Sequence, residues 1–244
     1  MTASPARRFT APRLPDLYLP RSYLEAFSDP DTEGPPRAWV YRARIGEWKP
    51  AALARQPGEP RHFNDVEDPA LRRCAELEEA LAAVEEPAAR LVRDRVAARQ
   101  PLTPGERALA ADFFALMGVR LSPRLAGIEE TEAVAGFRGL AAVLREMGWV
   151  FWAAEPPGYF VTSSSPFLVA FPSREEEHFF TIDIHSPSAE VTLPLTRSLA
   201  LHATWKRRGE TWRRAGDDAL LEINGRACQR AQNFLLAPKP AIPG

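Results

Sequence analysis

Hydrophobic and polar positions change rhythm twice along the chain. From Pro69 to about Arg99, Leu71, Leu77, Leu81, Val84, Ala88, Leu91 and Val96 follow helical spacing, with Pro87 in their midst. That pattern predicts either one kinked helix or two successive ones. Thr103-Pro104-Gly105-Glu106 then reads as a helix start. Thr103 is placed to cap, Pro104 suits the first helical position, and Glu106 completes a capping box three residues on. This helix is expected to run to about Arg120 and stop near Pro123. The next begins near Glu129, where acidic residues suit a positive helix N-terminus, and ends at Met147 with Gly148 as its terminator.

After Gly148 the pattern becomes that of strands. Trp149–Ala154, Tyr159–Thr162, Pro166–Phe171, Phe179–Ile184, Val191–Leu195 and Leu199–Trp205 are short, rich in β-branched or aromatic residues, and separated by turn residues. A last helix is expected from Asp217 to about Phe234. Before the helices, Leu17–Phe27 predicts a short helix with Pro20 in its first turn. Trp39-Val40-Tyr41 and Trp48 flank Gly46 as a β-hairpin. Strands are segregated from helices, so the expected class is α+β. The expected architecture is a central bundle of three or four helices packed on a C-terminal antiparallel sheet, with an N-terminal strap and hairpin across the interface. Residues 1–16 read as an extended arm, 17–237 as one domain, and 238–244 as a tail. Within the domain, 17–65 hold the strap and hairpin, 66–148 the helices, and 149–237 the sheet and last helix.

Composition narrows the class of protein. The 244 residues are 45% apolar and 26% charged, which excludes wholesale disorder. A formal net charge of -1 is unlike a histone or a basic nucleic-acid coat, although it leaves room for a local basic patch. No apolar run approaches the roughly 20 residues of a membrane span. Met1–Arg8 has two arginines with no apolar stretch behind them, so the expectation is a soluble, cytoplasmic protein without membrane contact. Two cysteines, Cys74 and Cys228, are too few for a disulfide scaffold, and the four histidines show no metal-ligand spacing. No phosphate-binding glycine loop is present, and neither metal nor cofactor is expected. Few amides and 24 prolines fit a heat-adapted source, but a GC-rich genome produces the same Ala, Arg and Pro excess.

Three clusters carry candidate chemistry. Glu78 and Glu85 are seven residues apart, two helical turns, and so share a face. An antiparallel neighbour would bring Arg120 to them. Their functional reading is a carboxylate site of a hydrolase or nuclease; the structural alternative is an ion pair that fixes helix register. Thr162-Ser163-Ser164-Ser165-Pro166 joins two predicted strands. Ser163 and Ser164 either hold an anion or bond the backbone of their own turn. Between Trp205 and Trp212–Arg214, five cationic groups fall within ten residues. In a hairpin turning at Gly209, Arg207, Arg208, Trp212, Arg213 and Arg214 would contact phosphates and stack on bases. Otherwise this is an exposed tip whose tryptophans pack inward.

Several segments together resemble a bacterial family catalogued as domain of unknown function 4238. Leu17-Tyr18-Leu19-Pro20-Arg21-Ser22-Tyr23-Leu24-Glu25-Ala26-Phe27 is similar to its opening motif. Trp39-Val40-Tyr41, His62-Phe63, Glu76–Glu85 and Phe114–Arg124 follow in its order. Thr162–Pro166, Val191–Leu201 and Asn224–Leu235 resemble its later motifs. The family's opening histidine corresponds to Leu17 and the aspartate of its turn to Ser164, and neither replacement retains the chemistry. The resemblance therefore implies an architecture and lowers the expectation of catalysis. The functional expectation is a non-catalytic binding protein for nucleic acid or another polyanion, with a hydrolase using Glu78, Glu85 and Arg120 as the alternative. A protein partner is a third reading; oligomeric state is not legible.

Overall fold

A computed structural model describes residues 19–31, 36–42, 46–53, 83–119, 130–171, 184–231 and 234–241. Its elements confirm the α+β class, and they begin where the local chemistry says they should. Pro20 precedes helix α1 (Arg21–Glu25), whose Tyr23 and Leu24, with Leu19 and Phe27 beside the helix, are buried in the main core. Strands β1 (Arg37–Arg42) and β2 (Glu47–Ala52) form the expected antiparallel hairpin. Gly46 sits at its turn with φ of +73°, a conformation that side chains resist.

Helix α2 covers residues 83–91, runs through Pro87 without a break, and widens into a π-helical turn over Val92–Val96. Helix α3 (Pro104–Val119) starts on the predicted capping box. Thr103 N–H donates to Glu106 Oε2 at 2.8 Å and Glu106 N–H to Thr103 Oγ1 at 3.3 Å. Hydrogen bonds from the Thr103 amide and hydroxyl to the carboxylate, with Arg95 nearby, lower the Glu106 carboxyl below its ordinary range. Helix α4 (Glu130–Glu146) packs against α3.

Strands β3 (Gly148–Ala153), β5 (Leu168–Ala170), β6 (Glu190–Thr196), β7 (Leu199–Thr204) and β8 (Glu210–Arg214) form a five-stranded sheet in the order β5-β6-β7-β3-β8. Period-two alternation gives it two different faces. Trp149, Phe151, Val191, Leu193 and Leu201 face Phe114 and Met117 of α3 and Leu144 of α4 in the main core. Each such side chain, fully buried, contributes about 1.5–3 kcal/mol. Helix α5 (Asp217–Gln229) covers the other face, where Leu220 and Ile223 meet Ala154 and Ala200.

The structure adds a second sheet. Strand β9 (Phe234–Ala237) falls partly where the last helix was expected to continue, and pairs with both β1 and β4 (Thr162–Ser163). The four-stranded order is β2-β1-β9-β4, so the N-terminal hairpin is part of a sheet as well as a strap. Ala38, Val40, Phe234 and Leu236 point to the main core. Tyr41, Trp48, Leu235 and Ala237 gather around Ala227 of α5.

Gly148 has a different role from the expected one. It opens β3, and a Cβ there would lie 2.5 Å from the carbonyl carbon and oxygen of Arg207. The glycine admits a backbone from sixty residues away rather than terminating a helix.

Candidate functional site

The basic segment is built from the end of β7, a turn, and the edge strand β8. It is not the expected hairpin. Strand β3 lies between β7 and β8 and pairs with β8 in parallel, Trp149 opposite Glu210 and Ala153 opposite Arg214. Local patterning shows two strands joined by a glycine turn, but the inserted strand comes from residues far earlier in the chain.

Both tryptophans pack inward. The Trp205 indole donates to the Ile184 carbonyl at 2.8 Å, and the Trp212 indole to the Val96 carbonyl at 2.9 Å. Trp212 also lies 5.3 Å from the Phe151 ring, and both indoles are half-buried. Neither is presented to stack on a base.

The arginines face outward. Arg207, Arg208, Arg213 and Arg214 are all exposed. Their backbone is held closely: Arg207 and Arg208 press on Gly148, and Gly209, at φ of +70°, accepts a hydrogen bond from Trp149 N–H at 2.8 Å. Arg213 lies 6.0 Å from the Trp152 ring, and Arg214 pairs with Glu155 at 3.1 Å while remaining 74% exposed. Arg207 and Arg208 make no ion pair among the described residues. Behind the strand, Glu210 is anchored by Arg107 at 2.7 Å and by the Leu102 amide at 3.1 Å.

A second polar cluster lies under α5, and no sequence motif marked it. Glu190 on β6 receives Lys206 at 3.0 Å and Arg226 at 3.1 Å, with His202 Nε2 of β7 at 3.3 Å. Arg226 also donates to Thr192 Oγ1 at 2.7 Å and pairs with Glu222 one helical turn away. Burial would raise the Glu190 carboxyl, but bonds from Lys206 and Arg226 and the neighbouring positive charge leave it below its ordinary range. Burial pushes the His202 imidazole down, against the pull of Glu190. The available signal was polar residues at alternate positions, Glu190-x-Thr192 and His202-x-Thr204, in otherwise apolar strands. The Glu190 carboxylate is met by Lys206 and Arg226, and the cluster fastens α5 to the sheet.

The hydroxyl-rich turn is divided. Ser163 is fully buried in β4 and its Oγ accepts the Ser165 amide at 3.2 Å, a local turn bond. Ser164 is half-buried and its N–H donates to the Phe234 carbonyl at 3.0 Å. Of the glutamate cluster, Glu85 is half-buried on α2; Glu78 and Arg120 lie outside the described residues, as does Leu17. Cys228 is half-buried in α5, where burial raises its thiol. Among the described residues, no group of three or more His, Cys, Asp or Glu is placed to hold a metal ion. No described helix is long and apolar enough to cross a membrane.

These features define an α+β protein with an arginine-bearing sheet edge and a closed ionic cluster beneath its last helix. Residues 18–138 match the family described as protein of unknown function (DUF4238), and the chain resembles that family over this stretch, from before α1 into α4. No curated protein and no solved structure gives a significant match. The later motifs, from Thr162–Pro166 onward, fall beyond the matched residues.

Proposed function

We propose that this protein is a non-catalytic binding protein for an anionic polymer, engaged through Arg207, Arg208, Arg213 and Arg214. The observation that supports this reading is four exposed guanidiniums on a backbone fixed by Gly148, Gly209 and the β3 ladder. A held backbone leaves less freedom to lose when an anion docks, and arginine's planar fork suits carboxylate or phosphate. The inward packing of Trp205 and Trp212 makes base stacking a poor part of the contact. Recognition through charge alone is sensitive to salt and indifferent to sequence.

The test is fluorescence anisotropy with labelled polyglutamate and labelled oligothymidylate over a salt series. The parent is expected to bind at least one of them, with affinity falling steeply as salt rises. The fourfold variant Arg207→Glu, Arg208→Glu, Arg213→Glu, Arg214→Glu should lose roughly a hundredfold or more. Equal, salt-independent binding by parent and variant, or no binding by the parent, overturns the reading.

A further inference from the structure

The side chains select a charge, and the backbone of β8 selects a shape. We propose that the partner is an acidic polypeptide segment that adds to β8 as a further strand; this rests on the anion-binding reading above.

Among the described residues strand β8 ends its sheet, with β3 on its one paired side. Trp149 N–H donates to Gly209 O and Ala215 N–H to Ala153 O, each at 2.8 Å. With the parallel register, these bonds turn the backbone groups of residues 209, 211, 213 and 215 toward β3. The N–H and C=O groups of Glu210, Trp212 and Arg214 therefore point away from the sheet. Among the described residues none of these outward groups has a hydrogen-bond partner. Such a row is a template for another extended chain.

The arginines stand at both ends of that row. Arg207 and Arg208 occupy the turn before it, and Arg213 and Arg214 its far end; the row from Glu210 to Arg214 is roughly 13 Å long at about 3.3 Å per residue. An extended peptide with carboxylates on alternate residues presents them on one face, where they meet the turn pair and whichever of Arg213 and Arg214 shares that face, while its amides fill the outward row. A second copy would instead bring four more arginines to the same seam, which like-charge repulsion opposes. A nucleic acid would leave the carbonyl acceptors of the row unused, and the Trp205 and Trp212 indoles are already bonded to the protein's own backbone.

The test uses the full chain and a labelled synthetic peptide of alternating Glu and Val. Its comparisons are the same peptide N-methylated at alternate amides, polyglutamate, and oligothymidylate. On the protein side, Arg214→Ala removes charge, whereas Arg214→Pro removes both charge and the outward N–H without touching the bonds to β3. The expected result is tighter binding of the alternating peptide than of oligothymidylate. N-methylation should weaken it about tenfold or more, and Arg214→Pro should weaken it about tenfold beyond Arg214→Ala.

If N-methylation changes nothing, and binding is still lost in the fourfold arginine variant, strand addition is wrong and anion binding stands. Tighter, methylation-independent binding of oligothymidylate overturns the peptide in favour of nucleic acid. A dimer of the free protein that dissociates in Arg214→Pro overturns it in favour of a second copy. If none of the probes binds, both readings fall together. Should Arg214→Pro fail to fold, the N-methylated peptide on the parent protein still decides.

Discussion

The Tyr23 hydroxyl lies 2.7 Å from Thr162 Oγ1 and donates to the Pro194 carbonyl, also at 2.7 Å. One proton serves one bond, so Tyr23 donates to Pro194 and Thr162 donates to Tyr23. The contact joins α1, β4 of the smaller sheet and β6 of the larger one, and Tyr23 and Thr162 are both buried. Desolvation pushes the phenol far above its usual range, so it stays neutral at any pH the fold survives. Tyr23→Phe removes the hydroxyl and leaves a carbonyl and a threonine hydroxyl unsatisfied. The expected loss is about 1–3 kcal/mol in urea unfolding, with the m-value unchanged. A loss below about 0.5 kcal/mol would mean the hydroxyl is not a joint between the sheets.

Arg107 ties three elements at one point. Its guanidinium lies 3.9 Å over the Trp149 ring, donates to the carbonyls of Arg145 (3.1 Å) and Met147 (2.6 Å) at the end of α4, and pairs with Glu210 of β8. A cation there also meets the negative end of the α4 dipole. Lysine keeps the charge but not the fork or the stacking, so Arg107→Lys should cost about 2 kcal/mol. Arg107→Ala leaves the nearly buried Glu210 without its cation and should cost about 3–5 kcal/mol. Chemical denaturation of the two variants checks this ordering; equal losses would show that the charge lysine retains contributes nothing and that the fork and its stacking carry the whole effect.

Acid should loosen α5 in two steps. His202 has a lowered value in the fold, so its stabilising contribution is complete above the unfolded value of about 6.5 and is lost as pH falls through the folded one. Glu190 is also lowered, so its contribution is complete above about 4.3 and disappears at still lower pH. The charged groups facing this pair are Lys206 from the turn after β7 and Arg226 and Glu222 from α5. The thermal midpoint of the parent should begin to fall below about pH 6.5. His202→Gln should hold its midpoint flat until the carboxylate range. An unchanged profile in that variant would remove His202 from the explanation.

How much of this was legible depended on distance along the chain. The Thr103–Glu106 box and the Gly46 hairpin turn are local, and both stand as read. The end of α5 was not, because Phe234-Leu235-Leu236-Ala237 is a four-residue apolar run that fits helix or strand equally. Its choice is made by β1 and β4, on either side of it. The segment from Trp205 to Arg214 misread as a hairpin for the same reason: its true neighbour, β3, lies some sixty residues earlier. The exposed arginines were visible as a basic run, whereas the Glu190–His202–Arg226 cluster needed the strand register and the docking of α5 to assemble it.

Gly148 gives the sharpest test of the backbone that carries the arginines. A Cβ there would lie 2.5 Å from Arg207 C and O and 2.8 Å from Arg208 N, all main-chain atoms that no rotamer change clears. Gly148→Ala must therefore push the turn away from β3, at a cost of about 3 kcal/mol. Gly209→Ala strains only a positive φ, with open space around the added methyl, and should cost about 1 kcal/mol. Gly158→Ala would meet the tip of Leu220 at 2.7 Å, a flexible end that gives way, so it should fall between the two. Thermal unfolding of the three variants establishes the order. Because Arg207 and Arg208 move with the turn, Gly148→Ala should also weaken anion binding by more than its neighbours do. An alanine at 148 that leaves both stability and binding intact would show that the turn is not held where β3 places it.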